Sequence, residues 1–147
     1  MQKQGCNVTL FWDHTEVLAY ITIADQVRPS AFEATKRLQK IGIKVAILSG
    51  DNKGAVEMIA DQLGVDQLRA DLLPEQKLEA IREFQQQTPT GMAGDGINDA
   101  PALAAAQTGF AMGTETAMDA ADIVIMDDDP LRIAETIEIS QRTTNVL

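Results

Sequence analysis

The chain has 147 residues, with 12 basic against 22 acidic side chains and a formal charge of −10. That length fits one domain whose core needs no disulfide or metal staple. The acidic balance excludes a nucleic-acid groove, which wants a basic face, and disfavours adhesion to anionic lipid. Cys6 is the only cysteine, so an internal disulfide and a cysteine cage for zinc are excluded, and the usage suits a reducing compartment. No apolar stretch approaches the ~18 residues of a membrane span. The first residues lack the apolar core of a signal peptide.

In chain order, residues 7–12 and 17–24 are rich in β-branched and aromatic types, with Asp13, His14, Thr15 and Glu16 between them. This predicts a hairpin with a four-residue turn. Pro29 and Ser30 open a helix on which Ala31, Ala34, Leu38 and Ile41 recur at helical spacing until Gly42 stops it. Residues 44–48 read as a short strand. A second helix carries Ala55, Val56, Ile59, Ala60 and Leu63 and closes at Gly64. A short strand at 68–70 precedes a helix begun by Pro74, with Leu78, Ile81 and Phe84 inward. Residues 91–93 form a weak strand, about 100–106 an alanine-rich helix, 109–112 a strand and about 116–120 a short helix. A strand at 122–126 and a final helix, capped by Asp129 and Pro130 and reaching about Thr144, complete the chain. Strands alternate with helices throughout, which predicts an α/β fold with a mainly parallel sheet. The organisation expected is a single domain over 1–147, the hairpin of 7–24 leading into 25–147.

In open α/β sheets, sites form beyond the carboxyl ends of the strands. Two such loops carry unusual residues. Ser49, Gly50, Asp51 and Asn52 combine a hydroxyl, a glycine that permits close backbone approach and a helix start whose amides favour an anion; a plain capped turn explains the same residues. Gly94, Asp95, Gly96, Ile97, Asn98 and Asp99 place two carboxylates four apart. Magnesium typically takes one or two carboxylates plus waters and phosphate. Lys77 lies in the first turn of a helix, against the dipole, a conflict tolerated if its ammonium reaches a phosphate. Together these fit a phosphoryl-transfer pocket. A nucleophile is missing.

Residues 94–101, from Gly94 to Pro101, resemble the hinge motif of the P-type ATPases. Ser49-Gly50-Asp51-Asn52 resembles their Thr-Gly-Asp motif, with serine keeping the hydroxyl. Residues 73–77, with Pro74 and Lys77, resemble the Pro-x-x-Lys segment, and residues 25–29, with Arg28 and Pro29, the segment leading into the phosphorylation domain. Order and spacing agree along roughly 8–146. Met112, Gly113 and Thr114, the stretch 121–126 and residues 128–130 look most similar to the zinc/cadmium/lead branch of the heavy-metal transporters. The resemblance implies a haloacid-dehalogenase-like Rossmannoid three-layer sandwich, with a mainly parallel sheet and ATP as the parent's substrate. Carried over, Asp95 would hold magnesium and Asp99 would support it. Asn98 would sit beside the phosphoryl group, Ser49, Gly50 and Asp51 would bind its oxygens, and Lys77 would neutralise them.

The departure is large. The Asp-Lys-Thr-Gly-Thr motif that carries the phosphorylated aspartate is not in this sequence, nor is the nucleotide-binding domain that follows it. The chain is therefore expected to be the C-terminal part of the phosphorylation domain of a heavy-metal ATPase, inactive alone. It would be cytoplasmic in a plasma-membrane transporter and partnered in the parent by the rest of that domain, the nucleotide-binding and actuator domains and the membrane helices. The absent central strand leaves two sheet edges unpaired. The hairpin filling the gap, or a second copy pairing there as a homodimer, is expected ahead of loose packing. Asp13 with Thr15 mimics the nucleophile motif, but its place in the hairpin turn argues against that role. The alternatives are a stand-alone phosphatase using Asp13, and a non-catalytic partner that completes a split domain. Asp127, Asp128 and Asp129 read as a strand-to-helix loop, Met112, Met118 and Met126 as core, and Phe11 and Trp12 as hairpin packing.

Overall fold

A computed structural model describes residues 7–13, 15–23, 26–95, 97–113 and 119–144. Strands β1 (Asn7–Trp12) and β2 (Val17–Ile23) pair antiparallel, Leu10 opposite Tyr20, with a register slip at Phe11 and Trp12. The Asp13 carboxylate organises the turn. It accepts the Thr15 amide at 2.8 Å, the Thr15 hydroxyl at 2.9 Å and the Glu16 amide at 3.0 Å, the local bonding that favours aspartate in turns.

Helix α1 (Pro29–Lys40) begins with proline at its first turn, as does α3 (Pro74–Gln85), where a missing N–H leaves no helical bond unmade. Strand β3 (Ala46–Leu48) leads to α2 (Lys53–Leu63), whose first turn is capped by Asn52 Oδ1 accepting the Ala55 amide at 3.0 Å. Strand β4 (Gln67–Arg69) precedes α3, and β5 (Gly91–Gly94) follows it. A 3-10 turn at Ile97–Asp99 runs into α4 (Ala100–Ala105), then β6 (Thr108–Met112), β7 (Ile123–Ile125) and α5 (Leu131–Thr144). The Asp129 carboxylate caps the last helix, accepting the Leu131 amide at 3.0 Å.

Every pairing outside the hairpin is parallel. β3 pairs with β4, while β5, β6 and β7 form a three-stranded sheet in that order. Strand β6 is buried on both faces. Ala111 joins Ile81, Met92, Ala102 and Leu103 on the α3/α4 side, and Phe110 and Met112 join Ile125 under Ile133 and Ile137 of α5. This is the helix-on-both-faces arrangement that parallel strands require, and it bears out the expected layered α/β fold. On the far side α1 packs against α5, with Arg37 Nε donating to Glu138 Oε1 at 2.9 Å.

Two expectations are corrected. The hairpin does not fill the gap in the parallel sheet: among the described residues β1 and β2 make a sheet of their own, and β3 and β5 each pair on one edge. A tight turn lets the hairpin satisfy its ladder locally, so nothing drives it to invade. Met126, expected in the core, is 76% exposed and serves no core; Phe11 pairs across the hairpin with Ala19 and is 65% exposed. The short helix near 116–120 falls largely outside the described residues, as do Cys6, His14, Gly96, Met118 and the Trp12 side chain. No described helix is long and apolar enough to cross a membrane.

Candidate phosphoryl-binding site

The loop after β3 is knitted to the loop after β4. The Ser49 amide donates to the Arg69 carbonyl, the Leu72 amide to the Ser49 carbonyl, both at 3.0 Å, and the Asp71 amide to the Asp51 carbonyl at 2.9 Å. Within the loop the Ser49 hydroxyl donates to Asp51 Oδ2 at 2.9 Å and accepts the Asp51 amide at 3.1 Å. Ser49 is half-buried, while Gly50, Asp51 and Asn52 are exposed. The hydroxyl therefore has a fixed position beside a helix N-terminus, the setting in which an anion finds donors. The Asp51 carboxylate acts here as the acceptor that orients Ser49.

Lys77 and Asp99, predicted from different segments, come together. Lys77 Nζ donates to Asp99 Oδ1 at 2.7 Å, with side chains only 15% and 14% exposed. The Leu73 amide donates to Gln76 Oε1 at 2.8 Å, which tightens the start of α3 that presents Lys77. Asp99 lies directly over the end of β5. A Cβ on Gly94 would fall 2.9 Å from both Asp99 Cβ and Oδ2, closer than such atoms pack, so only glycine permits this approach. The sequence by itself assigns Gly94 no separate role; the signal it carries is a glycine immediately before Asp95. Asp95 and Asn98 are exposed on the same loop, and Asp95 engages in an interaction of its own.

Among the described residues no hydrogen bond runs from Ser49, Gly50 or Asp51 to Lys77 or Asp99. What relates the two groups is the core: Leu48, next to Ser49, and Leu78, next to Lys77, pack against one cluster of Ile81, Met92 and Leu103. The type of donor, though not a gathered ligand set, suits magnesium. Asp95 and Asp99 are two hard carboxylates on one short loop, the number and type of protein ligand magnesium takes beside water and phosphate; among the described residues no larger group of metal-binding side chains gathers. Asp13 is placed elsewhere, with its carboxylate committed to its own turn and held below the usual carboxylate range by the Thr15 and Glu16 amides and the Thr15 hydroxyl. The three aspartates at 127–129 are likewise spoken for: Asp127 pairs with Arg132 at 2.9 Å, Asp128 with Arg28 at 2.7 Å, and Asp129 caps α5.

Comparison with known proteins identifies the family. Residues 2–107 match the family model described as haloacid dehalogenase-like hydrolase. The chain is 42% identical over 145 residues to the copper-exporting P-type ATPase B of Archaeoglobus fulgidus, covering 97% of this chain and 21% of that protein. It is 37% identical over 152 residues to a cadmium-transporting ATPase of Staphylococcus aureus, covering 100% and 21%. The crystal structure of a zinc-transporting PIB-type ATPase in its E2.Pi state superposes with a TM-score of 0.87 at 38% identity, over 98% of this chain and 24% of that one. The chain thus spans about a fifth of the length of the curated relatives it matches. It belongs to the haloacid dehalogenase-like hydrolase family, and within that family it matches the phosphorylation domain of the heavy-metal P-type ATPases.

Proposed function

We propose that this chain supplies the magnesium- and phosphoryl-binding half of an aspartyl-phosphate site in an ATP-driven exporter of heavy-metal cations. The observation that carries the reading is the Lys77–Asp99 pair, 2.7 Å long and lodged over Gly94 at the carboxyl end of β5. The pair lies over Gly94, the residue before Asp95, which supports that loop as the receiver of a phosphoryl group and its metal. Asp95 and Asp99 would hold magnesium, which when bound supplies charge neutralisation of phosphoryl oxygens. Lys77 neutralises the same oxygens from α3. The Ser49 hydroxyl and Gly50 amide orient them, and Asn98 lies on the loop beside them. Asp51 keeps the Ser49 hydroxyl in place, its amide donating to the Ser49 oxygen and its carboxylate accepting the hydroxyl proton.

The nucleophilic aspartate comes from outside these residues. The edges of β3 and β5 that carry no partner among the described residues are suited to receive the strand that bears it, from the remainder of a longer parent or from a second copy. In the parent, the nucleotide-binding and actuator domains and the membrane helices couple ATP hydrolysis to transport, with this domain at the cytoplasmic face. The test is acid-quenched labelling with magnesium and radiolabelled ATP or acetyl phosphate. The chain is expected to take up no hydroxylamine-labile label, and to bind magnesium in a titration that Asp95→Ala abolishes. Label that vanishes in Asp13→Asn would overturn the reading and make the chain a compact phosphatase.

A further inference from the structure

The loop of Ser49, Gly50 and Asp51 is backed by two residues from the loop after β4. The Asp71 amide donates to the Asp51 carbonyl at 2.9 Å and the Leu72 amide to the Ser49 carbonyl at 3.0 Å. Between these bonds, a Cβ on Gly50 would fall 3.2 Å from the Leu72 carbonyl oxygen, so the two main chains approach closely where the side chain is missing. Each of the three loop residues thus meets a main-chain atom of Asp71 or Leu72. The Ser49 and Asp51 carbonyls, whose lone pairs would repel an anion, are taken up by donors. The Gly50 amide donates to nothing among the described residues.

The backbone of Asp71 is what lets two successive amides reach the same loop. In extended chain, neighbouring residues point to opposite sides. A left-handed residue turns successive N–H groups toward one side. Asp71 has φ at +55°, a conformation that costs an L-residue energy and persists where its surroundings require it. Asp128 is the other described non-glycine residue of this kind, and its carboxylate pairs with Arg28 at 2.7 Å. The Asp71 side chain is exposed and accepts no hydrogen bond among the described residues. Its cost is therefore offset through the main chain alone. The same stretch of chain runs directly into α3. The Leu73 amide donates to Gln76 Oε1 at 2.8 Å, and the Lys77 amide to the Leu73 carbonyl at 3.1 Å.

We propose that Asp71 is a positioning residue whose left-handed backbone, and not its carboxylate, fixes the Ser49–Asp51 loop relative to the start of α3 and so to Lys77. Residues 71–77 form a continuous strut between the two groups of candidate phosphoryl-binding residues, which no direct hydrogen bond joins among the described residues. The role of Asp71 toward a phosphoryl group rests on the proposed function; its role toward the loop does not.

The experiment compares Asp71→Asn, Asp71→Gly and Asp71→Val with the parent chain. Asparagine and glycine reach the left-handed region readily, whereas a β-branched residue does so least. Solvent exchange of the Leu72 and Asp51 amides is read by NMR and corrected for intrinsic rates. Leu72 reports the strut. Asp51 reports the loop, because its amide donates to Ser49 Oγ at 3.1 Å and not to Asp71. Both amides should exchange about tenfold faster in Asp71→Val and at nearly the parent rate in Asp71→Asn and Asp71→Gly. An Asp51 amide as protected in Asp71→Val as in the parent overturns the proposal. So does Asp71→Asn losing as much protection as Asp71→Val, which would assign the role to the carboxylate. If Asp71→Val fails to fold, Asp71→Ala takes its place under the same criteria. Magnesium with inorganic phosphate is the ligand probe. Asp71→Val should bind phosphate about tenfold more weakly, with affinity for magnesium alone unchanged, since Asp95 and Asp99 lie on another loop. Equal phosphate affinity in parent and Asp71→Val overturns the role toward the phosphoryl group. A parent that binds no phosphate refutes the proposed function, and the exchange rates then decide Asp71 alone.

Discussion

The two parallel sub-sheets are built to different depths. In the three-stranded half, β6 is buried over most of its length between α3/α4 and α5. In the two-stranded half, β3 and β4 each begin exposed and end only half-buried. The sequences of the strands do not explain this, since Ala46-Ile47-Leu48 is at least as apolar as Gly91-Met92-Ala93-Gly94. Neighbours explain it: a parallel strand needs partners on both edges and helices on both faces. The sites differ in the same way. The Ser49 loop is held by bonds to the neighbouring loop after β4, the Asp99 loop by a lysine 22 residues away in sequence.

The largest test of that comparison is a pair of truncations. Leu103 is fully buried, so Leu103→Ala should cost about 2–5 kcal/mol by urea denaturation. Ile47→Ala in the half-buried β3 should cost roughly 1 kcal/mol, having less apolar area to lose. Equal costs would mean that the two halves are equally well packed in solution.

The next contrast lies within one strand. Gly94→Ala would force a methyl against Asp99 at 2.9 Å, whereas at Gly91 the nearest atom would be 3.4 Å away, an ordinary contact. Gly94→Ala should lose about 1–3 kcal/mol through overpacking and weaken magnesium binding by displacing Asp99. Gly91→Ala should be nearly silent in both measurements. Magnesium affinity undisturbed in Gly94→Ala would remove Asp99 from the ion's surroundings.

Lys77→Ala sharpens the picture by a smaller amount. It strands a carboxylate only 14% exposed, which should cost about 1–3 kcal/mol in a thermal or urea melt. Thermal protection by inorganic phosphate with magnesium should be lost as well. Retained phosphate protection would assign the ammonium to structure alone.

What the residues disclosed beforehand was what local physics decides. Prolines at 29 and 74, asparagine at 52 and aspartate at 129 mark helix starts because each acts within one turn, and the hairpin turn at Asp13 was legible for the same reason. The candidate site was legible as a set of residue types, though its assembly was not. Nothing in the periodicity says that Lys77 reaches Asp99 or that Gly94 is bare because Asp99 overlies it. Met126 was misread as a core residue because apolar character reports what a side chain prefers. Whether it is covered depends on elements distant in sequence. Arg28 was quoted only for its resemblance; its partner 100 residues away became visible once β6 and β7 had been laid side by side.

The smallest effect separates the hairpin from both halves. In the folded chain the Asp13 carboxyl sits below its ordinary value because the Thr15 and Glu16 amides and the Thr15 hydroxyl bond its ionised form. A depressed carboxyl contributes its stabilisation above the unfolded pKa, near 3.9, and loses it as pH falls through the still lower folded value. The turn should therefore be tightest from about pH 5 upward and loosen only in acid. The amide exchange of Thr15 and Glu16 is the measurement, corrected for the intrinsic pH dependence of exchange. Protection at pH 6 should drop in Asp13→Asn, which keeps one acceptor oxygen and loses the charge, and the gap between the two chains should narrow as the Asp13 carboxylate takes up its proton in acid. Exchange in α3 and β6 should be the same in both chains across that range, because Asp13 bonds only within its own turn among the described residues. A coupled change in β6 would show that the hairpin leans on the parallel layers more heavily than its separate sheet implies.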